Sequence, residues 1–148
     1  MRAGFTLIEG LVIIAILGIL AGIAFLDVRP LENAARNGAN ELAATLRQAR
    51  SRAMATTSAH RLVLVDAVRV ETQWRRTCSG SEPWVDDPRL GLELLRGATV
   101  VRGAEIGQPI TCFDSRGIGD ASPVIVIRDT RGREATVDVL AGGAIRVE

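Results

Sequence analysis

Tyrosine and lysine are absent from this 148-residue chain, and histidine occurs only once, as His60. Aromatic residues make up 3% of the sequence, too few for the stacking platforms that bind single-stranded nucleic acid. All 18 basic residues are arginine and the net charge is only +1. The chain as a whole therefore carries no field that would attract nucleic acid.

The same shortages argue against an enzyme. A single imidazole leaves little for acid–base catalysis or metal binding, and the sequence has no Cys-x-x-Cys pair, Ser-His-Asp set or phosphate loop. Asp86 and Asp87 lie in a polar stretch and are expected to be solvated. Segment 114–120 places oxygen ligands beside glycines, but it lacks the acid spacing of an EF-hand and Arg116 opposes a cation, so we expect a plain turn. We predict no catalytic residue, no metal and no cofactor.

One long apolar run dominates the N-terminus. Residues 5–26 contain a single charge, Glu9, and as a helix they would span about 33 Å, enough to cross a bilayer core. Arg2 precedes the run, which favours a cytoplasmic N-terminus and an exported C-terminal part. A cleaved secretory signal, a plain single-pass anchor and a filament-forming precursor all begin this way. The apolar run is longer than that of a cleaved secretory signal. A plain single-pass anchor does not explain the carboxylate so early in the run.

The order of residues around the start of the run favours the third alternative. The sequence GFTLIE at positions 4–9 resembles the type IV prepilin signature. The resemblance implies removal of a leader, residues 1–4, by cleavage between Gly4 and Phe5, and N-methylation of Phe5 by a membrane prepilin peptidase. It also implies that Glu9 pairs with the N-terminal amine of a neighbouring subunit during assembly. Residues 5–28 would then form a helix that is first transmembrane and later part of a filament core.

The composition of this helix suits both a membrane and a filament core. A charge inside hydrocarbon costs about 2.5–3.5 kcal/mol at mid-helix, so Glu9 is a functional candidate. Gly18 and Gly22 form a G-x-x-x-G pair, which lets apolar helices approach closely, although such pairs also arise by chance. Many members of the family have a proline where this chain has Leu26. Pro30 would instead bend or end the helix farther along.

The remainder reads as one head domain, residues 29–148. Apolar residues recur at helical spacing up to Thr56, which predicts an amphipathic helix at 29–57, nearly continuous with the first one. From residue 60 the period changes to that of strands, with 73–91 as a polar loop. Predicted strands occupy positions 61–65, 68–72, 92–95, 98–101, 109–113, 123–128, 135–140 and 144–147. The expected fold class is α+β, a long N-terminal helix on an antiparallel β-sheet head.

Three segments of the head resemble the GspH/FimT family of minor pseudopilins and minor pilins. They are LRQARSRAM at 46–54, FDSRG at 113–117 and GAIR at 143–146. The resemblance implies a structural subunit that helps initiate or cap a type IV pilus or a type II secretion pseudopilus. Its partners would be other pilin or pseudopilin subunits, the prepilin peptidase, the inner-membrane assembly platform and, before assembly, membrane lipid. The chain would sit in the bacterial inner membrane with a periplasmic head, and afterwards in the filament.

The FimT branch of that family supplies an alternative, a minor pilin that binds DNA during natural transformation. Arg128, Arg131 and Arg133 surround a predicted hairpin and Arg146 follows on the last strand, so these four are the candidate DNA contacts. The first arginine of the family's tail pattern is Ala144 here, and Asp129 and Glu134 dilute the charge. A solvated hairpin is the competing interpretation.

The two cysteines are the remaining candidates. An even cysteine count in an exported domain suggests one disulfide, between Cys78 and Cys112, and two free thiols are the alternative.

Overall fold

The computed structural model describes residues 7–24, 33–94 and 97–148, which fall into an N-terminal helix and a head. Helix α1 comprises Leu7–Ala24. In the described part of the head, helix α2 (Ala34–Thr56) is followed by strands and a 3-10 turn at Pro88–Leu90. The strands are β1 (Ala59–Leu64), β2 (Arg69–Arg75), β3 (Val85–Asp86), β4 (Leu92–Glu93), β5 (Ala98–Arg102), β6 (Pro109–Phe113), β7 (Val124–Asp129), β8 (Glu134–Val139) and β9 (Ile145–Val147). The predicted α+β fold class is confirmed.

Helix α2 begins and ends at identifiable caps. Asn33 has extended backbone, and its side chain accepts a hydrogen bond from the Arg36 N–H at 3.1 Å, as an N-cap does. At the other end Thr57 adopts the left-handed conformation, which stops the helix. The predicted start at residue 29 and the nearly continuous helix are therefore wrong, because Asn33 interrupts the helical backbone. Leu26 and Pro30 lie outside the described residues.

The described strands form two antiparallel sheets rather than the single sheet that the sequence suggested. The first has the order β3-β2-β1-β6, with β4 also paired to β2, and the second has the order β5-β7-β8-β9. The chain passes between them at Gly97, whose positive φ suits a glycine, and again on either side of β6. A hydrogen bond from the Val100 N–H to the Ala67 carbonyl joins β5 to the β1–β2 turn.

The core lies between one face of α2 and both sheets. Small residues on α2, such as Ala39 and Ala49, bring the helix close to the strands, and Gly38 lies against Ala98 and Ile127. Phe113, Leu42 and Leu46 are the largest fully buried side chains. Each such side chain contributes about 1.5–3 kcal/mol by leaving water.

The predicted loop at 73–91 is shorter than expected. Strand β2 continues through Arg75, which pairs with Ala59, and Val85–Asp86 adds a short strand beside it. His60, expected just before a strand, lies within β1 opposite Trp74. The polar residues Gln73 and Arg75 obscured this extension because they occupy the outer, partly solvated face of the strand.

Candidate functional site

Helix α1 exposes a large apolar surface. Leu7, Ile8 and Ile14 are 87%, 71% and 72% exposed, and most neighbouring aliphatic side chains are at least half exposed. A soluble domain seldom leaves so much contiguous apolar surface uncovered, so such a surface indicates contact with a partner helix or with lipid. Of the described residues, no helix meets the length and hydropathy required of a membrane span.

Glu9 interrupts this apolar surface at its beginning. It lies in the first turn of α1, and its side chain is exposed among apolar neighbours. A carboxylate is favoured at that end of a helix by the helix dipole. Gly18 lies farther along, and a Cβ added there would meet nothing within 4 Å, so the position is open to another chain. Gly22 belongs to α1, whereas Gly4 and Phe5 lie outside the described residues.

In the head, two arginines of α2 donate hydrogen bonds to two loops and to the first residue of β9. Arg50 donates from Nε to the Gly117 carbonyl at 2.9 Å and from Nη2 to the Gly142 carbonyl at 3.3 Å. Arg47 donates from Nη2 to the Ile145 carbonyl at 3.0 Å. The three segments that carried the family resemblance, at 46–54, 113–117 and 143–146, therefore meet at one place.

Glycine is required where these loops touch. Gly117 and Gly143 both have positive φ, at 76° and 82°. A Cβ added to Gly143 would overlap the Gly117 carbonyl oxygen, the same atom that accepts from Arg50. The junction of Arg50, Gly117 and Gly143, here called the Arg50 junction, thus holds the β6–β7 and β8–β9 loops together.

A second set of contacts fixes loop 76–84 against the outer face of the first sheet. The guanidinium carbons of Arg61 and Arg75 lie 4.1 and 4.0 Å from the Trp84 ring centroid. Arg75 also donates to the carbonyls of Thr77, Cys78 and Glu82. Burial, followed by the nearby positive charge of Arg75, lowers the pKa of Arg61.

The charge of Arg61 is balanced along a row that crosses three strands. Arg61 Nε donates to Gln73 Oε1 at 2.8 Å, and Gln73 Nε2 donates to Asp86 Oδ1 at 2.8 Å. These residues are direct cross-strand neighbours, so their side chains share the outer face of the sheet. Asp86, expected to be solvated, is exposed but serves as the end of this row.

Cys78 and Cys112 are joined by a disulfide with a Cα–Cα distance of 6.0 Å, which ties loop 76–84 to β6. Closing a loop with a sequence separation of 34 residues stabilises by about 4 kcal/mol in the chain-entropy model. We expect thiol titration of the denatured chain to find no free thiol without reductant and two with it. A reduced chain, or a Cys78→Ala, Cys112→Ala variant, should unfold at lower urea concentration. Two reactive thiols in the untreated chain would contradict the bond.

Comparisons with known proteins identify the family of this chain. A model of the prokaryotic N-terminal methylation motif matches residues 1–25. A family model described as type II transport protein GspH matches residues 38–143, most of the chain. The chain belongs to the GspH family. The predicted family is thereby confirmed, and with it the functional class, a subunit of the type II transport machinery.

Solved structures show the same fold in distant relatives of this GspH-family chain. The minor pseudopilin EpsH of the Vibrio cholerae type 2 secretion system is 16% identical with a TM-score of 0.60, over 78% of this chain and 97% of that one. A crystal structure of the same protein is 15% identical with a TM-score of 0.58, over 80% of this chain and 97% of that one. Escherichia coli GspH is 11% identical with a TM-score of 0.62, over 84% of this chain and 94% of that one. No curated protein sequence matches.

The four candidate DNA contacts do not form one patch in this GspH-family head. Arg128 pairs with Glu134 at 2.5 Å, Arg133 with Asp129 at 2.6 Å and Arg146 with Glu148 at 3.5 Å. Arg146 lies opposite Asp138, four residues along β8 from Glu134, which is about 13 Å. Carboxylates thus neutralise three of the four arginines. The register between β8 and β9 separates Arg146 from the hairpin that carries Arg131.

Asp129 shapes that hairpin. Its buried carboxylate accepts from the backbone N–H groups of Arg131 and Arg133, both at 2.9 Å, and from Arg133 Nε. Burial opposes ionisation, but these hydrogen bonds outweigh it and lower the pKa of Asp129. The arginines at this tip therefore include one that neutralises a buried acid.

The acids of segment 114–120 serve the loop itself. Asp114 accepts from the N–H groups of Ile118 and Arg116 and from Arg116 Nε, and the Ile118 bond is the largest cause of its lowered pKa. Asp120 accepts from the Cys112 N–H at 2.7 Å. In the part of the chain that the structure describes, no cluster of three His, Cys, Asp or Glu side chains could hold a metal.

Sequence reasoning missed a cleft that lies at the C-terminal end of α2. His60, only 3% exposed, lines it together with Trp74, Arg52, Asp87 and Arg89. Arg52 pairs with Asp87 at 3.4 Å, and burial lowers the pKa of His60 although Asp87 opposes the shift. No sequence pattern indicated this pairing, because His60 is expected just before a strand and Trp74 falls in the predicted loop at 73–91.

Proposed function

We propose that this chain is a minor pseudopilin, a low-abundance structural subunit of a type II secretion pseudopilus. The observation that carries the proposal is helix α1, an exposed apolar helix with one acidic residue in its first turn. In a bundle of such helices the apolar side chains would be buried, and a cationic group beside Glu9 would compensate its charge there. A neighbouring subunit's N-terminal amine has that charge.

The route to the filament follows from the N-terminal motif. A prepilin peptidase would remove residues 1–4 and methylate the new N-terminus at Phe5. Before assembly the helix would rest in inner-membrane lipid, with its N-terminus cytoplasmic and its head periplasmic. The assembly platform would then transfer it into the filament, where Gly18 and Gly22 permit close packing of helices.

A role in starting or capping the filament suits the head. The head buries its own core beneath α2, and the disulfide and the Arg50 junction hold its loops. Such a head would present a fixed contact surface to other pseudopilins.

The experiment is deletion of the gene, followed by complementation with an epitope-tagged chain. Secretion should fall to the level of a strain without a pseudopilus, and the tagged chain should restore it. In sheared filaments the tag should be present in far smaller amount than the main subunit. Unchanged secretion together with a chain absent from the filaments would refute the proposal. A defect in DNA uptake with intact secretion would favour the DNA-binding alternative instead.

A further inference from the structure

The cleft at the end of α2 has the features of a binding site. It is an open cleft of about 480 Å³ between the last turns of α2 and the 3-10 turn Pro88–Leu90, and residues of β1 and β2 line it. We call it the Trp74 cleft, and its lining residues used below are Arg52, His60, Trp74, Asp87, Pro88 and Arg89. A cleft of this volume can hold a few side chains of a peptide, whereas a flat protein surface would not enter it.

The floor of the Trp74 cleft is apolar but not covered. Trp74 is 43% exposed, and its cross-strand partner Val85 is 48% exposed. Both lie on the sheet face that α2 covers farther along, since His60 and Trp74 are also direct partners. In a chain with so few aromatic residues, a half-exposed tryptophan beside a cleft is a candidate anchor for a partner.

Within the described residues, the ion pairs of the Trp74 cleft leave one cation, Arg89, without a carboxylate partner. Arg52 is neutralised by Asp87, whose second oxygen accepts from the Arg89 N–H at 3.2 Å. Asp86 also lines the cleft, but its carboxylate accepts from Gln73 Nε2 at 2.8 Å on the opposite face of the sheet. Among the described residues no acidic side chain pairs with the exposed guanidinium of Arg89.

His60 adds a buried polar group that faces the same space. Its Nδ1 lies 3.4 Å from Ser58 Oγ, and no described residue hydrogen-bonds its other ring nitrogen. A buried imidazole with a free nitrogen at a cleft wall can take part in a hydrogen bond with an incoming group. An anionic group flanked by an apolar one would therefore satisfy the cleft most fully.

We propose that the Trp74 cleft binds an acidic peptide segment of a partner protein, with a carboxylate on Arg89 and an adjacent aliphatic side chain on Trp74. His60 supplies a further polar contact at the base of the cleft. The inference does not depend on how the chain enters a filament. A head that binds the segment in a chain that fails to assemble would retain this proposal and reject the earlier one.

The test uses NMR of the full chain in detergent micelles, titrated with the peptide acetyl-Leu-Asp-Leu-Asp-Leu-amide. The chain has only two tryptophans and one histidine, so the indole signals of Trp74 and Trp84 and the ring signals of His60 are separable. We expect saturable shifts of Trp74 and His60, while Trp84, held between Arg61 and Arg75, stays fixed. The matched peptide with asparagine in place of aspartate should bind at least about tenfold more weakly, because a charge-assisted bond is lost.

Variants complete the test. Arg89→Ala should weaken the acidic peptide at least about tenfold, whereas Arg36→Ala, at another exposed arginine of the head, should not. An unshifted Trp84 signal in both variants verifies that the head is folded. Equal affinity for the asparagine peptide, an Arg89→Ala variant that binds normally, or no saturable Trp74 shift in the millimolar range would each overturn the proposal.

Discussion

Glu9→Ala is expected to leave leader removal intact and to lower the amount of chain in filaments by about tenfold to a hundredfold. The reason is that a carboxylate among apolar helices loses its solvation and regains stability only through a charged partner, worth about 1.5–3 kcal/mol as a charge-assisted bond. The measurement compares the processed chain in whole cells with the chain in sheared filaments by immunoblot. Glu9 lies past the cleavage site, so the length of the processed product should be the same in both proteins.

Glu105→Ala is the matched control, because Glu105 is an exposed carboxylate in a loop of the head. It should enter filaments like the unaltered chain. Glu9→Asp should restore part of the incorporation, since it keeps the charge on a shorter side chain. Normal incorporation of Glu9→Ala would refute the amine-pairing account and leave only apolar packing to drive assembly.

Gly143→Ala is expected to destabilise the head much more than Gly142→Ala. Both glycines have positive φ, so each alanine carries a backbone cost of about 1–2 kcal/mol. A Cβ at Gly142 meets nothing within 4 Å, whereas one at Gly143 overlaps the Gly117 carbonyl and lies 3.0 Å from Arg50 Nε. Relief of that overlap must move the β6–β7 loop away from Arg50. The total cost for Gly143→Ala should reach about 3 kcal/mol, at the upper end for single substitutions.

The comparison is made by urea unfolding of the full chain in detergent, followed by tryptophan fluorescence. Because the two glycines are adjacent and both have positive φ, the difference between the variants reports mainly the contact with Gly117. Equal unfolding free energies would show that the β6–β7 loop shifts at no cost, and the Arg50 junction would then have no part in stability.

Local patterns accounted for much of the fold. The apolar stripe of α2 and the alternation in β1 and β8 depend on burial of one face, which a sequence displays directly. Strand β6 has the predicted bounds, 109–113. The start of α2 was misjudged because residues 29–32 continue the helical spacing, while Asn33 caps the helix with a side chain that the spacing ignores.

Long-range contacts could not be obtained in this way. The division into two sheets depends on which strands meet across tens of residues, and alternation is identical in either arrangement. The Trp74 cleft likewise needs α2, β1, β2 and the 3-10 turn in place before its residues become neighbours. The hairpin arginines were recognised, but their pairing with Asp129 and Glu134 follows from side-chain geometry that charge counting does not capture.

The Arg50 junction has a consequence for how such a head tolerates change. Arg50 and Arg47 donate to carbonyl oxygens of Gly117, Gly142 and Ile145, and every residue type offers such an oxygen. The loops are thus tethered through atoms that mutation does not remove, and only the donors and the tight glycines are chemically restricted. Most loop side chains can consequently be substituted to contact different neighbours in an assembly. The hydrogen bonds that hold the loops on α2 remain in place.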